Sequence, residues 1–535
     1  MYFHLYDNDL CKKSKSILLD PLKINPHNFQ KRKFFNHFVN SLLSKEYRLK
    51  TIVYSSYKTE QKFILENHQI IVSELNELNI RQMYKKYNSP LHNYLLDSIS
   101  DYYNLSMRGT KTESIYLEKL MSFFYMNELL FYISNKNVKL LKTNNVISIS
   151  PMHNEYKYLK RRWFAYIWEK ESKDANVGLS VFANLTIPKE KIVDAVLQLS
   201  NMYMDKVFFM HDDYISTQNK KKEQYIFIHN LCKFFLLLHL TKDYTVSTKD
   251  PILKLLKLNK NNFMNELNKI NATQPFLDKG FFIANDSYVL DKSLDVYNVL
   301  KSYLIEKYQK KLSVLSSKFG QIFEEYIKLY TQKNLSSDYR IIADNIDYNE
   351  NEINVDIDLT LYDKNRDYYY FIQAKYAVSN KPYLKDEIKS ICNNKTLKKG
   401  LKQLNGFREA LNQDSFQEIL KSKKINVNDD NFSLILIHTI SQFDFHEVND
   451  IQLYEWNNFR NLLDKGKQQN MNINLEKPTH DIVQHLNTLA LENVDDVIQT
   501  SMDNGSRDYD SLWNEFKNGF FKFKLNNNLF ESNIK

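Results

Sequence analysis

The sequence predicts an α/β multidomain protein whose C-terminal half carries a mixed sheet flanked by helices. Two observations predict it. Apolar residues recur at helical spacing through Leu304–Leu329, then at a period of two through Tyr339–Ile346, Ile353–Tyr362 and Tyr368–Ala377. A basic helical stretch, Lys395–Leu411, then separates these runs from one more apolar strand, Phe432–Ile440. Helix, three strands, helix, strand closes into a sheet covered on both faces. A chain of 535 residues has room for about three domains. The expected division is a mixed α/β recognition or regulatory domain over 1–220, a helical domain over 221–305, the sheet domain over 306–445, and an acidic, mainly helical region over 446–535.

In the first block, KTIVYSSY (50–57) and HQIIVSEL (68–75) read as strands and Tyr116–Ile133 as a helix. Lys160-Arg161-Arg162-Trp163 suits either a phosphate clamp or, more simply, a solvated helix face beside one core Trp. His211-Asp212-Asp213 reads as a turn, because adjacent side chains diverge and do not converge on a metal.

In the second block, Gln224–Leu240 is a strongly apolar helix. Asp250-Pro251 opens a short helix with a cap and a first-turn proline. Lys260–Ile270 is amphipathic through Phe263, Leu267 and Ile270, and a hairpin turns at Asn285-Asp286. Three helices and a hairpin are the order of a winged helix, with Lys260, Asn261, Asn262 and Asn265 at the start of its groove-facing helix. A helical linker or dimer contact has the same order.

The third block carries the chemistry. In its first helix Phe323, Ile327 and Tyr330 make an apolar stripe with Glu324 at the edge. In Ile353–Tyr362, Val355, Ile357, Leu359 and Leu361 point one way and Asp356, Asp358 and Thr360 the other. Gln373 and Lys375 share a face of the next strand. A divalent cation needs converging oxygens. A carboxylate from Asp358, the Gln373 amide oxygen and the Ala374 carbonyl can supply them. Lys375 can orient an attacking water, which suits phosphodiester hydrolysis.

Charge supports a polyanionic partner. The net charge is +9, yet 9 basic and 17 acidic residues from Ile425 onward leave +17 on the first 424 residues. Residues 381–424 hold 11 basic and 5 acidic residues, with Lys395, Lys398, Lys399, Lys402 and Gln403 on the helix beside the strands. Other chemistries are excluded by pattern. None of the nine glycines has the spacing of a phosphate-cradling loop, and no GxSxG occurs. His480 and His485 are five apart and not four. Cys11, Cys232 and Cys392 fit neither a zinc ribbon nor a disulfide framework, which points to a reducing cytoplasm. MYFHLYDNDLCKK meets Asp and Lys before an apolar core can form, so no export signal is expected. Phe227–Leu240 is too short and polar to cross a bilayer, so no membrane partner is expected.

The order Gly320-x-x-Phe323-Glu324, Asp358, Gln373-Ala374-Lys375, and a helix with Gln403-Leu404 resembles the PD-(D/E)XK nuclease superfamily. The glutamine in the last motif is similar to the QxK branch, as in Mrr-like restriction endonucleases. The resemblance covers residues 310–440 and implies a restriction-endonuclease-like core. It implies that Asp358, Gln373 and Glu324 hold Mg²⁺, with Mn²⁺ able to substitute, and that Lys375 assists the water. Gln403 matches the glutamine of the following helix. Asp356 has the same parity as Asp358 and either can be the ligand; the apolar run after Asp358 favours the latter. The expected activity is Mg²⁺-dependent DNA endonuclease action in restriction or antiphage defence, with a homodimer and a defence partner in keeping with it. The alternatives are an RNase or structure-selective nuclease, and an inactive nucleic-acid-binding or regulatory protein.

Overall fold

The structure, a computed structural model, describes short stretches between 138 and 165, residues 191–247 with brief gaps, positions 256, 263 and 265, the strands within 281–290, most of 314–377 and 395–463, and parts of 468–532. The strands expected at 50–57 and 68–75, the helix at 116–133 and the short helix at Asp250-Pro251 lie outside the described residues.

Two helices lead into the sheet domain. α1 (Ile192–Lys206) buries Ala195, Val196, Leu199 and Tyr203, the spacing of one helical face. It packs on α2 (Glu223–Thr241), which is apolar around most of its circumference. A strand at Thr245–Ser247 then pairs with Ser287–Leu290, which pairs with Phe281–Ala284. The expected hairpin is present and has gained a third strand. Of the helix between them, Phe263 is buried against Phe227 and Phe234 and Asn265 is exposed; Lys260, Asn261 and Asn262 lie outside the described residues.

α3 (Val314–Asn334) buries Phe319, Ile322, Phe323, Tyr326 and Ile327. The strands β1 (Tyr339–Ala343), β2 (Ile346–Glu350), β3 (Ile353–Ile357), β4 (Leu359–Asp363) and β5 (Tyr368–Lys375) follow. α4 (Lys395–Ala410) and α5 (Asp414–Ser422) cross to β6 (Phe432–His438). Two more strands, β7 (His446–Val448) and β8 (Ile451–Glu455), and then α6 (Trp456–Leu463) complete the core. The six-stranded sheet has the order β7-β8-β6-β5-β4-β1. Strands β5, β6 and β8 run parallel and the outer strands antiparallel, so the sheet is mixed. α4 covers one face, setting Phe407 on Phe371. α3 and α6 cover the other, through Phe323 on Tyr376 and Phe459 on Tyr454. Leu434–Ile437 of β6 are fully buried, as a central parallel strand requires.

Three expectations need correction. The run Ile353–Tyr362 is not one strand. It bends at Asp358, with β3 pairing in a separate hairpin with β2 and β4 joining the main sheet. The sheet domain does not end at 445, because β7 and β8 extend the same sheet and α6 is buried against it. Among the described residues, the region after 446 is not mainly helical. It holds a hairpin, Gln468–Asn472 with Thr479–Gln484, and Asn528–Ser532 pairs in parallel with Val146–Pro151 in a four-stranded sheet. Its one longer described helix beyond α6 is α7 (Val494–Asp503).

Candidate active site

The bend at Asp358 places the candidate site. Its backbone N–H still donates to the Ile372 carbonyl at 3.0 Å, so β4 stays in register with β5 up to this residue. Past it the chain peels away into the β2–β3 hairpin. The carboxylate turns inward, where Oδ2 accepts from the Gln373 amide Nε2 at 2.5 Å and from the Ala374 N–H at 2.7 Å. Asp358 is 7% exposed and Gln373 is fully buried. Lys375, two residues on and on the same face, is also 7% exposed.

Burial is costly for the Asp358 carboxylate and pushes its pKa up to about 7. The Lys375 ammonium and the Ala374 N–H oppose this, while the charges of Glu324 and Asp356 add to it. Glu324 is likewise raised, first by burial, against the pull of Lys375, and further by Asp356. Three carboxyl groups and one ammonium therefore act on one another at the junction of α3, β3 and β5. Lys328, one turn along α3, and Lys399 of α4 add positive charge facing Glu324.

α4 lies over this junction by close approach. A Cβ at Gly400 would stand 2.9 Å from Cγ of Lys375 and 2.9 Å from Cδ1 of Leu436, so the lysine stem runs along bare helix backbone. At Gly406 a Cβ would meet the Asn354 carbonyl oxygen at 2.6 Å. Between the two, Gln403 donates from Nε2 to Asp356 Oδ2 at 2.7 Å.

The lysines of α4 divide. Lys399 and Lys402 are exposed and Lys398 is half-buried; the Lys395 side chain lies outside the described residues. Gln403, grouped with them from sequence, is 2% exposed. A phosphate contact from it is replaced by the bond to Asp356, because it occupies the inner face of α4. The same bond commits Asp356 to the helix and leaves Asp358 facing Gln373. Two other motifs resolve as structure. Arg161 is buried in an ion pair with Asp495 at 2.7 Å, and the buried Trp163 ring packs on Trp513. His211 Nδ1 accepts from the Asp213 N–H in the expected turn.

Sequence reasoning missed Gly400 as the neighbour of Lys375. A glycine inside a basic helix, three residues before the inward-facing Gln403, gave the only signal. It also missed Lys328, whose i+4 spacing from Glu324 was readable.

The donors offered here are oxygen only, which suits a hard divalent cation. Gln373 Oε1 is buried and has no hydrogen-bond partner among the described residues, so a lone pair next to Asp358 stays available. Among the described residues, no three His, Cys, Asp or Glu side chains are grouped to hold a metal by themselves. A cation here would depend on the amide as well as the carboxylates. No helix among the described residues is long and apolar enough to cross a membrane.

No protein-family model matches the chain, and no curated protein or solved structure matches it significantly.

Proposed function

We propose that the chain is a metal-dependent endonuclease that hydrolyses DNA phosphodiester bonds, on a PD-(D/E)XK-like core with a QxK last motif. The observation that carries this is the bond between Asp358 and Gln373, with Lys375 on the same strand face and Glu324 in electrostatic contact. Asp358, Glu324 and the Gln373 amide oxygen are the residues that would hold Mg²⁺ or Mn²⁺. When bound there, a divalent cation would supply charge neutralisation for the phosphate and lower the proton affinity of the attacking water. Lys375 orients the attacking water and offsets the negative charge that develops on the phosphate. Asp358 acts in its ionised form, so its raised proton affinity ties activity to pH. The exposed Lys399, which acts on Glu324, and the exposed Lys402 on the same helix suit a nucleic-acid backbone.

A second reading is favoured by one observation: both buried-side carboxylates already accept from amides, Asp358 from Gln373 and Asp356 from Gln403. In that reading the core binds nucleic acid without cutting it. Incubation of the full-length protein with supercoiled plasmid and Mg²⁺ or Mn²⁺, against an EDTA control, separates the two. The nuclease expectation is metal-dependent cutting that disappears in Lys375→Ala and in Asp358→Ala. Binding without cutting at any metal concentration supports the second reading. Equal cutting by wild type and both variants places the chemistry elsewhere.

A further inference from the structure

The end of α1 turns in an unusual way. Phe209 has φ 54, in the left-handed region where glycine or asparagine is normal and a bulky residue is strained. The turn is closed by the Phe208 N–H on the Tyr203 carbonyl at 3.3 Å and the Met210 N–H on the Met204 carbonyl at 2.7 Å. Glycine would make such a helix end without strain. The sequence has phenylalanine there, and its ring is only 3% exposed.

The position of that ring gives the strain a purpose. Phe209 meets Phe323 edge-on at 5.5 Å and Tyr376 edge-on at 6.4 Å, while Phe323 and Tyr376 lie 5.7 Å apart. Three rings close on one another. Phe323 immediately precedes Glu324, and Tyr376 immediately follows Lys375. The wedge therefore sits between the helix and the strand that carry three of the four site residues, and touches the neighbours of Glu324 and Lys375. The same segment is tied along α3. Asp205 accepts from the Tyr326 hydroxyl at 2.5 Å, Glu325 accepts from the Ser216 N–H at 3.2 Å, and Lys333 donates to the Asp213 carbonyl at 2.7 Å.

We infer that Phe209 is a positioning residue of the candidate site: its ring fixes the gap between α3 and β5 and so sets Glu324 against Lys375. The left-handed backbone alone does not single out Phe209, since Phe445 shares it; the placement of the Phe209 ring against Phe323 and Tyr376 does. Here the strained turn aims one ring at the gap between α3 and β5. The chemical consequence rests on the nuclease reading; the mechanical one does not. Through Phe209 the docking of the helical module on α3 is passed to the site, so the chain upstream of the sheet has a direct means of adjusting catalysis.

The test uses full-length protein with Phe209→Ala, Phe209→Leu as the conservative variant, and Phe445→Ala as a control. Phe445 is a second phenylalanine in the left-handed region, with φ 59, but it packs on Phe164 and Tyr454 and not beside the site. In plasmid cleavage below the melting temperature, Phe209→Ala is expected to lower kcat by roughly 100-fold, as a misplacement near 1 Å does. KM should stay within about two-fold, because DNA contacts are untouched. Phe209→Leu should recover most of the rate, and Phe445→Ala should melt lower with kcat kept. Amide hydrogen exchange, which needs no activity, should rise in Phe209→Ala at 320–326 and 372–377 ahead of the rest of the sheet. Wild-type kcat in Phe209→Ala, or unchanged exchange in both segments, overturns the inference. If Phe209→Ala does not fold, the graded loss in Phe209→Leu decides by the same two readouts. Local exchange in a wild type that cuts no DNA keeps the wedge and removes the nuclease reading.

Discussion

Gly400→Ala separates the chemistry of Lys375 from the stability of the fold. The new Cβ would lie 2.9 Å from Lys375 Cγ, 2.9 Å from Leu436 Cδ1 and 3.4 Å from Lys375 Cε. Carbon atoms rest at about 3.5–4.0 Å, so the lysine stem and the leucine methyl must retreat by roughly 0.5–1 Å. Two opposing terms set the stability change. Alanine in a helix interior gains about 1 kcal/mol over glycine. Overpacking a filled site costs about 1–3 kcal/mol. Both clashing groups are side chains, one of them a leucine terminus, so the cost lies at the low end and the net loss should be about 0–1 kcal/mol. Catalysis has no such compensation. The Lys375 stem is 7% exposed and bounded by α4, so it moves as a unit and takes its ammonium with it. A displacement near 1 Å corresponds to roughly 100-fold in rate. Urea unfolding gives the first quantity and single-turnover plasmid cleavage the second. Near-wild-type cleavage in a folded Gly400→Ala protein would falsify the role given to Lys375, since its group would then tolerate displacement.

Three further outcomes are expected. Asp358 binds its proton more tightly folded than unfolded, so it contributes stability that is full below its ordinary pKa of 3.8 and lost as pH rises to about 7. In EDTA, wild-type melting temperature should therefore fall across that window more steeply than that of Asp358→Asn, which keeps only the fall due to other raised carboxylates such as Glu324 and Asp444, with a difference of at most roughly 4 kcal/mol; parallel curves would mean the carboxylate is not strained by burial. Replacing Lys399 and Lys402 by Gln should weaken binding to all duplexes alike and reduce the log–log salt slope by about one unit per lysine; an unchanged slope puts the phosphates elsewhere. Asp205→Ala should cost about 3 kcal/mol in urea unfolding, because it leaves the guanidinium of Arg460, 1% exposed, without its carboxylate. A loss under about 1 kcal/mol would show that the Tyr326 hydroxyl and Asn457 satisfy it.

The alternation of α3, strands, α4 and β6 was legible because each has a strong period, but β2 and α5 were not, and Tyr339–Ile346 and Ile353–Tyr362 each read as one strand. The meeting of Asp358 with Gln373 was legible for the same reason: parity on neighbouring strands restricts which side chains can touch. The break at Asp358 was not. Alternation continues through it with no glycine or proline, and only the burial of both faces from Asp358 to Leu361 reveals the change of sheet. The β7–β8 hairpin was readable and overlooked. Its turn is Asn449-Asp450, both with positive φ, the residue types and conformation of a two-residue hairpin loop. The acidic composition of the region concealed it, since net charge carries information about partners and not about fold. Phe209 and Phe445 could not have been anticipated at all, because phenylalanine is among the residues least expected in the left-handed region.

The buried polar groups after residue 445 explain why the sheet domain needs them. Glu455 closes β8 and opens α6, where its carboxylate accepts from the Asn457 and Asn458 N–H groups as an anion at a helix start. Asn457 passes the connection to Arg460 through its Oδ1 at 2.6 Å, and Arg460 donates to the Tyr326 hydroxyl at 2.6 Å and to Asp205 at 3.1 Å. One chain of hydrogen bonds thus runs from the end of a central parallel strand to α3, two residues from Glu324, and on to α1. Behind it the fully buried Asp444 holds its proton well above the usual carboxylate range, first through burial and then through the charge of Glu455. A partly satisfied buried network of this kind destabilises more than an apolar one. Cutting the chain at 445 would remove Glu455, Asn457 and Arg460 together, leave Asp205 and Tyr326 without their cation, and turn β6 into an open edge. The orientation of α3 is therefore fixed from three sides: by the sheet beneath it, by the α1 segment with Phe209, and by α6. A site that depends on Glu324 depends on all three.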